Sequence, residues 1–376
     1  MKKSYLKYFA QFKFILIMCS TLLFFHCSSS TDDGTTYNYI GPGSEWSISM
    51  DSDDSTFTVE EAVSEVVVNG TYETLDSGFT LLTVSSATGD DAPSAGAKAV
   101  AIDIPGYVFL LKPMGEGSKI ISMVSSGECP VEDFSANWMI TSTDTDSTFL
   151  ENCDDDDADN LDAVGTFSYT HSSTSGELPV KYDVCGNTVG DSDVDVGTIT
   201  CSAGIASVST DSNISMYMTQ SGGMIVNFNN TTSDDNKIIV AFPNDNLSEL
   251  SDLDGDYIGF VVADGDSESG DTTFILSMKA TLDSTSSQIS FDEIDPSTGD
   301  IITENDANGD FDISDINDPA NGYIKGTYAL DSDAGPHEVI CIAKDSIYST
   351  GKDVIFCVGE NPTDAADMFN LILVSN

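Results

Sequence analysis

The sequence predicts an all-β protein built from tandem antiparallel modules, each a meander or barrel-like sheet, after a signal peptide and a flexible tether. Apolar and polar residues alternate over stretches such as 46–50, 214–218 and 224–228, which is the period of strands with one buried face. Turn-forming residues separate such runs, as at 105–106 and 220–223. Helical periodicity is almost absent, so we expect hairpins to connect the strands.

Internal similarity divides the chain into related units. The tetrapeptide Asp-Ser-Thr-Phe follows a tryptophan at the same spacing twice, after Trp46 and after Trp138. A Gly-Thr-aromatic motif occurs at 70–72, 165–167 and, in a fainter third unit, 326–328. Tandem copies of one supersecondary unit give this pattern, and the chain is too long for one small core. The sequence therefore predicts two or three related β modules, placed at 44–135, 136–250 and 251–376.

The opening of the first module resembles that of bacterial lipocalin-like domains. A tryptophan strand with an Asp-x-Thr-Phe hairpin (46–59) is followed by a Gly-Thr-Tyr strand (69–84). This resemblance implies up-and-down β-barrels. Barrels of about eight strands either hold one small apolar ligand or are filled by their own side chains. Both interpretations remain open here, and in a filled barrel Trp46 and Trp138 are core residues.

Residues 1–26 have the pattern of an export signal. Four lysines precede an apolar run of 12 residues, 14–25, which is too short to span a bilayer as a helix and fits the apolar region of a secretory signal. Cys27 follows, and then a stretch rich in serine and threonine that has no apolar surface to bury. We therefore expect 27–43 to be a flexible tether.

This leader resembles that of bacterial lipoproteins. The resemblance implies that Cys27 is acylated and becomes the first residue of the mature chain. The protein would then be held on the bacterial envelope, at the outer membrane, through its lipid. The residues one and three before the cysteine, His26 and Phe24, depart from the small residue and leucine usual there. The alternative is an ordinary secreted or periplasmic protein that is cleaved near the same place.

Six cysteines remain after Cys19 and Cys27, and an even number in an exported chain predicts disulfides. Neighbours in sequence pair readily across hairpins, so we expect the bridges Cys129–Cys153, Cys185–Cys201 and Cys341–Cys357. The last has the strongest basis, because strand-like runs at 339–342 and 354–358 are joined by a polar loop that contains glycine. No two of these cysteines have the Cys-x-x-Cys spacing of a zinc site.

The mature chain is strongly acidic. Nine lysines against 63 acidic residues after Cys27 give a net charge of −54, and arginine does not occur. A surface this negative repels nucleic acid, and the lack of guanidinium groups removes bidentate clamps for phosphate. Cations are attracted, and self-repulsion weakens at high ionic strength.

One acidic segment predicts a calcium site. Asp306, Asn308, Asp310 and Asp312 place oxygen ligands at positions 1, 3, 5 and 7 of a loop, a spacing at which alternate side chains can converge on one hard cation. The segment resembles the calcium loops of EF-hand and dockerin modules. It departs from them at position 6, where Phe311 replaces glycine, and lacks an acid at position 12. The alternative is a solvated acidic loop.

Motifs of catalysis are missing from the sequence. It has no His-Glu-x-x-His, no Gly-x-Ser-x-Gly and no phosphate-binding loop, and after the leader only His171 and His337. We therefore expect no enzyme, but an envelope-anchored lipoprotein that acts as a binding or structural module. Its expected partners are the membrane, through the lipid, and other envelope or surface proteins. The alternatives are a calcium-dependent adhesion or interaction protein and a lipocalin-like carrier of a small apolar ligand.

Overall fold

A computed structural model of the protein describes part of the chain. The described residues are 36–40, 46–61, 65–89, 92–104, 106–114, 120–125, 127, 129–141, 164–169, 177–184, 194–202, 204–208, 214–218, 224–228, 238–243, 249–263, 274–302, 308–316, 323–330, 337–347, 351–360 and 368–376. Within these ranges the chain forms 24 strands and one short 3-10 helix. The predicted all-β class with antiparallel, barrel-like modules is confirmed.

The first barrel has eight strands in up-and-down order, and β1 pairs with β8 to close it. Its first strand lies inside the stretch predicted as a tether, so that prediction is wrong for residues 36–40. The strands are β1 (Thr36–Ile40), β2 (Trp46–Asp51), β3 (Thr56–Glu61), β4 (Val67–Thr74), β5 (Thr80–Thr88), β6 (Lys98–Ile104), β7 (Val108–Pro113) and β8 (Ile121–Ser125).

The second barrel also has eight antiparallel strands, and β16 returns to β9 to close it. The strands are β9 (Phe134–Thr141), β10 (Val164–Tyr169), β11 (Glu177–Val184), β12 (Val194–Ser202), β13 (Ile205–Val208), β14 (Ile214–Met218), β15 (Met224–Phe228) and β16 (Ile238–Pro243).

The third barrel follows the 3-10 helix Leu250–Leu253, and pairing of β17 with β24 closes it. Its strands are β17 (Gly255–Ala263), β18 (Phe274–Asp283), β19 (Gln288–Glu293), β20 (Gly309–Ile316), β21 (Tyr323–Leu330), β22 (His337–Ile347), β23 (Lys352–Glu360) and β24 (Met368–Ser375).

Several strands are apolar on both faces. In β7, Phe109 and Leu111 belong to the core inside the first barrel, whereas Val108 and Leu110 belong to a separate cluster outside it. The strands β22, β23 and β24 divide in the same way between the interior of the third barrel and that outer cluster. An antiparallel sheet with one solvated face shows alternation, so these continuous apolar runs mean that a second layer covers the outer face.

The repeated motifs do not all occupy equivalent strands. Trp46 begins the second strand of its barrel, whereas Trp138 lies in the first strand of the next, where it pairs with Gly165. The glycines of two Gly-Thr-Tyr motifs do share a role, since each lies under a phenylalanine ring of the preceding strand: Gly70 under Phe57 and Gly326 under Phe311. A Cβ at either position would collide with that ring and with a neighbouring backbone carbonyl. Only glycine fits there.

Two disulfides lie among the described residues. Cys341 and Cys357 face each other directly across β22 and β23, as predicted. Cys129 pairs with Cys201 over a separation of 72 residues. The predicted neighbour pairings Cys129–Cys153 and Cys185–Cys201 are therefore wrong, because the segment that precedes β9 lies against the turn after β12, where the Gly204 N–H donates to the Cys129 Sγ. Cys153 and Cys185 lie outside the described residues.

Candidate functional site

The most extensive apolar cluster lies where the three barrels meet. We call it the junction. Each barrel contributes outward-facing side chains from a few neighbouring strands, and the core residues of the junction are 9% exposed or less. Those contributed by strands include Val100, Ile102, Ile104, Val108 and Leu110 from the first barrel, Val240 and Phe242 from the second, and Ile258, Phe260, Ile340, Ile342, Val354, Phe356, Val358, Ile372 and Val374 from the third.

Three aromatic rings, one from each barrel, meet in the junction. The ring centroids of Tyr107 and Phe242 are 4.8 Å apart, those of Phe242 and Phe356 are 5.4 Å apart, and those of Tyr107 and Phe356 are 6.4 Å apart. These separations and the tilted or edge-on orientations are those that aromatic quadrupoles favour. The three rings therefore fix how the barrels pack against one another.

The hydroxyl of Tyr107 is buried between barrels. It donates a hydrogen bond of 3.3 Å to the carbonyl oxygen of Ala241 in β16. Burial raises the pKa of Tyr107 well above its ordinary value, because the phenolate loses its hydration in apolar surroundings. The side chain therefore remains a neutral donor and links the first barrel to the second.

A second set of contacts joins the first and third barrels directly. The rings of Phe79 and Phe260 are 5.5 Å apart, and the Ser77 hydroxyl donates a 2.9 Å hydrogen bond to the carbonyl of Pro296. Gly78 lies so close to the Asn376 side chain that a Cβ there would collide with it. The hairpin around 75–79 is thus held at several points.

The interface between the first and third barrels also contains charged side chains. Lys112 of β7 has a pKa lowered mainly by burial, partly offset by the attraction of Glu293 in β19. Glu293 itself is only 7% exposed. The two side chains belong to different barrels, so this attraction acts across the interface.

Polar side chains are also buried on the outward faces. Asn137 is 4% exposed and pairs across strands with Phe242, and Ser277 is 2% exposed and pairs with Phe260. Paired residues share a sheet face, so both lie on faces that turn to the junction. Among the residues that the structure describes, the Asn137 Oδ1 and Ser277 Oγ atoms have no hydrogen-bond partner. Such atoms are commonly satisfied by ordered water.

The interiors of the first and third barrels are filled by their own side chains. Ile48, Phe57 and Phe109 are among those that pack inside the first barrel, all 4% exposed or less. In the third barrel, Leu253 of the 3-10 helix packs onto the interior cluster, and the Tyr257 hydroxyl donates a 2.6 Å hydrogen bond to its carbonyl. Of the two interpretations of the lipocalin resemblance, this packing favours the filled barrel for these two modules.

The predicted cation segment begins a strand in place of a loop. Asn308 is 8% exposed, and its side-chain oxygen accepts a 2.8 Å hydrogen bond from the backbone N–H of Glu293. Asp310 and Asp312 lie in β20, and Asp312 accepts a hydrogen bond from Gln288 at 3.1 Å. The structure thus gives Asn308 a structural partner. Asp306 lies outside the described residues, and the calcium site stays a prediction.

The predicted lipidation site, Cys27, falls outside the described ranges, as does His171. Over the stretches that the structure describes, no three His, Cys, Asp or Glu side chains come together as a metal site would require. In the same stretches, no helix has the length and apolar character that would cross a membrane.

Sequence reasoning missed the junction residues Tyr107, Phe242 and Phe356. A signal was present in or next to them, because 108–111, 238–242 and 354–358 are continuous apolar runs. Such runs indicate burial on both faces. They do not indicate which run packs against which.

Comparison with known proteins gives little. No protein-family model and no curated protein matches the chain. One solved structure, of a protein with unknown function from the DUF3598 family of Nostoc punctiforme, aligns with 65% of this chain and 95% of its own at 11% identity, with a TM-score of 0.25.

Proposed function

We propose that the protein is a lipid-anchored component of a bacterial envelope that acts as a rigid binding or structural module and not as a catalyst. The observation that supports this most is the way the barrels are packed. The interiors of the first and third barrels are occupied by the protein's own side chains, and the junction buries the faces where the barrels meet. For the first and third barrels, the surfaces that remain for a partner are the outer faces and loops.

Charge and leader support the same proposal. Cys27 directly follows the leader and resembles the acylated cysteine of lipoproteins. The mature chain has a net charge of −54 and contains no arginine. A surface of this kind disfavours nucleic acid and anionic lipid headgroups. In this proposal the lipid holds the protein at the membrane, and the folded barrels are held off the anionic surface.

The anchor is tested by growing expressing cells with an alkyne analogue of palmitate. Wild-type protein should carry the label and sediment with membranes. The Cys27→Ala variant should lose the label and become soluble, whereas Cys19→Ala, which changes a leader cysteine that takes no lipid, should behave as wild type. Label retained by Cys27→Ala, or absent from wild type, would refute the anchor.

The module itself is tested by native mass spectrometry of the purified protein, followed by solvent extraction. Filled barrels should release no small molecule in stoichiometric amount. A stoichiometric apolar compound retained through purification would contradict the proposal and favour the carrier of small apolar ligands.

A further inference from the structure

We propose that the Cys129–Cys201 disulfide is a redox-sensitive clamp that holds the connector between the first two barrels onto the second barrel, whereas Cys341–Cys357 is a permanent bridge of the core. The connector is defined here as residues 127–133, between β8 and β9. The proposal goes beyond the proposed function, because it concerns how the chain responds to a thiol reductant and not what it binds.

The clamp lies where the chain passes from one barrel to the next. Cys129 follows β8, and Cys201 belongs to β12 in the wall of the second barrel. Two hydrogen bonds accompany the bridge. The N–H of Gly127 donates to the carbonyl of Met218 at 2.7 Å, and the N–H of Gly204 donates to the Cys129 Sγ at 3.4 Å. These contacts fasten the connector to β14 and to the turn between β12 and β13.

The two described disulfides differ in access to solvent. Cys129 and Cys201 are both partly exposed, and Val131 beside them is 79% exposed. Cys341 and Cys357 are 0% and 1% exposed, inside the third barrel. Thiol–disulfide exchange requires a thiolate to reach a sulfur atom. The clamp can be attacked in the folded protein, whereas the core bridge requires β22 and β23 to open first.

A dithiol of the envelope or the medium can reduce the clamp in two exchange steps. A thiolate of the reductant attacks one Sγ, which breaks the Cys129–Cys201 bond, releases the other cysteine as a thiolate and leaves a mixed disulfide. The second thiol of the reductant, as a thiolate, then attacks the reductant sulfur of that mixed disulfide and releases the remaining cysteine. The reductant leaves as a disulfide, having transferred two electrons and two protons, and Cys129 and Cys201 become thiols. Neither cysteine takes part in the ring contact of Tyr107 with Phe242, so we expect the barrels to stay docked while the connector is released.

The first test treats the exported full-length protein with dithiothreitol under native conditions, quenches it with an isotope-coded alkylating reagent, and maps the label by peptide mass spectrometry. We expect Cys129 and Cys201 to be labelled about tenfold faster or more than Cys341 and Cys357, because the buried bridge needs local unfolding. In concentrated guanidinium the difference should disappear. Equal labelling of both pairs in the native protein would overturn the proposal.

The second test measures amide hydrogen exchange before and after selective reduction. The peptide covering 127–133 should exchange faster once the clamp is open, because the Gly127 N–H loses its fixed position against Met218. The hairpin at 75–79, held between the first and third barrels, is the control and should not change. The Cys129→Ser/Cys201→Ser double variant should match the reduced protein without any reductant. If amide exchange at 127–133 is unchanged although alkylation shows that Cys129 and Cys201 are reduced, the bridge does not hold the connector and the proposal is refuted.

Discussion

The contact between Phe242 and Phe356 gives the sharpest prediction, because these rings belong to different barrels. Their centroids are 5.4 Å apart at an interplanar angle of 52°, and both side chains are 1% exposed. An aromatic pair of this geometry contributes about 0.5–1.5 kcal/mol beyond the area that it buries. A double-mutant cycle with Phe242→Leu and Phe356→Leu should therefore show a coupling free energy of about 1 kcal/mol.

Leucine is chosen because it keeps most of the apolar volume. Truncation to alanine costs about 3–5 kcal/mol at each buried phenylalanine, which for two sites approaches the whole stability of a typical protein. The assay is urea unfolding followed by circular dichroism with the disulfides intact. The coupling is the difference between the loss of unfolding free energy in the double variant and the sum of the losses in the single variants.

A control cycle pairs Phe242→Leu with Phe57→Leu. Phe57 packs inside the first barrel and has no ring contact with Phe242 among the aromatic contacts of the described residues. These two changes should be additive within about 0.3–0.5 kcal/mol. If Phe242 and Phe356 are equally additive, the rings do not meet across the junction and the description of one packed three-barrel body is wrong.

Three further predictions concern other parts of the molecule. Gly326→Ala should lower the unfolding free energy by about 3 kcal/mol in a urea titration, because the new Cβ would collide with the Phe311 ring and a backbone carbonyl. The control Ser290→Ala, at an exposed position of β19, should change the unfolding free energy by less than about 0.5 kcal/mol. Burial raises the pKa of Tyr107, so its contribution to the unfolding free energy is complete below about pH 10, where an unfolded tyrosine is neutral. Above that pH the contribution falls by up to about 1.4 kcal/mol per pH unit. Urea titrations from pH 9 to 11 should therefore show a smaller loss of unfolding free energy for Tyr107→Phe than for wild type. If Asp306, Asn308, Asp310 and Asp312 bind calcium, melting in EDTA and then in Ca²⁺ or Mg²⁺ at equal ionic strength should show a calcium-selective rise of several degrees that is lost in Asp310→Asn. Equal shifts with both ions would mean charge screening alone and would refute the predicted cation site.

Local patterns predicted the features that depend on neighbouring residues. The alternation at 46–50 places Ile48 and Met50 inside a barrel, because successive side chains of a strand point to opposite faces. The Cys341–Cys357 bridge was predictable for the same reason, since two strands joined by a short polar loop pair with each other and the cysteines fall in register. Neither inference needs knowledge of the rest of the fold.

The predictions that failed involve residues far apart in the chain. Six cysteines allow 15 pairings, and proximity in sequence favours the wrong partners for Cys129 and Cys201. These two meet because the segment before β9 packs on β14 and on the turn after β12. The repeat of Trp46 and Trp138 suggested equivalent strands, although the two residues occupy different positions in their barrels. The calcium site inferred from the spacing of Asn308 and Asp310 is not among these failures and stays a prediction, although the Asn308 side-chain oxygen already accepts a hydrogen bond from the Glu293 N–H.

The sequence by itself determined the all-β class, the antiparallel strands, the strong negative charge and the inner bridge of the third barrel. These follow from the period of the side chains along a strand and from composition. Only the tertiary structure decided that the barrels are closed, that the first and third are filled, and that Tyr107, Phe242 and Phe356 meet at their junction. A continuous apolar run indicates that both faces of its strand are buried. Because the hydrophobic effect is non-directional, the run does not specify which surface packs against it. That is decided only when the whole chain packs.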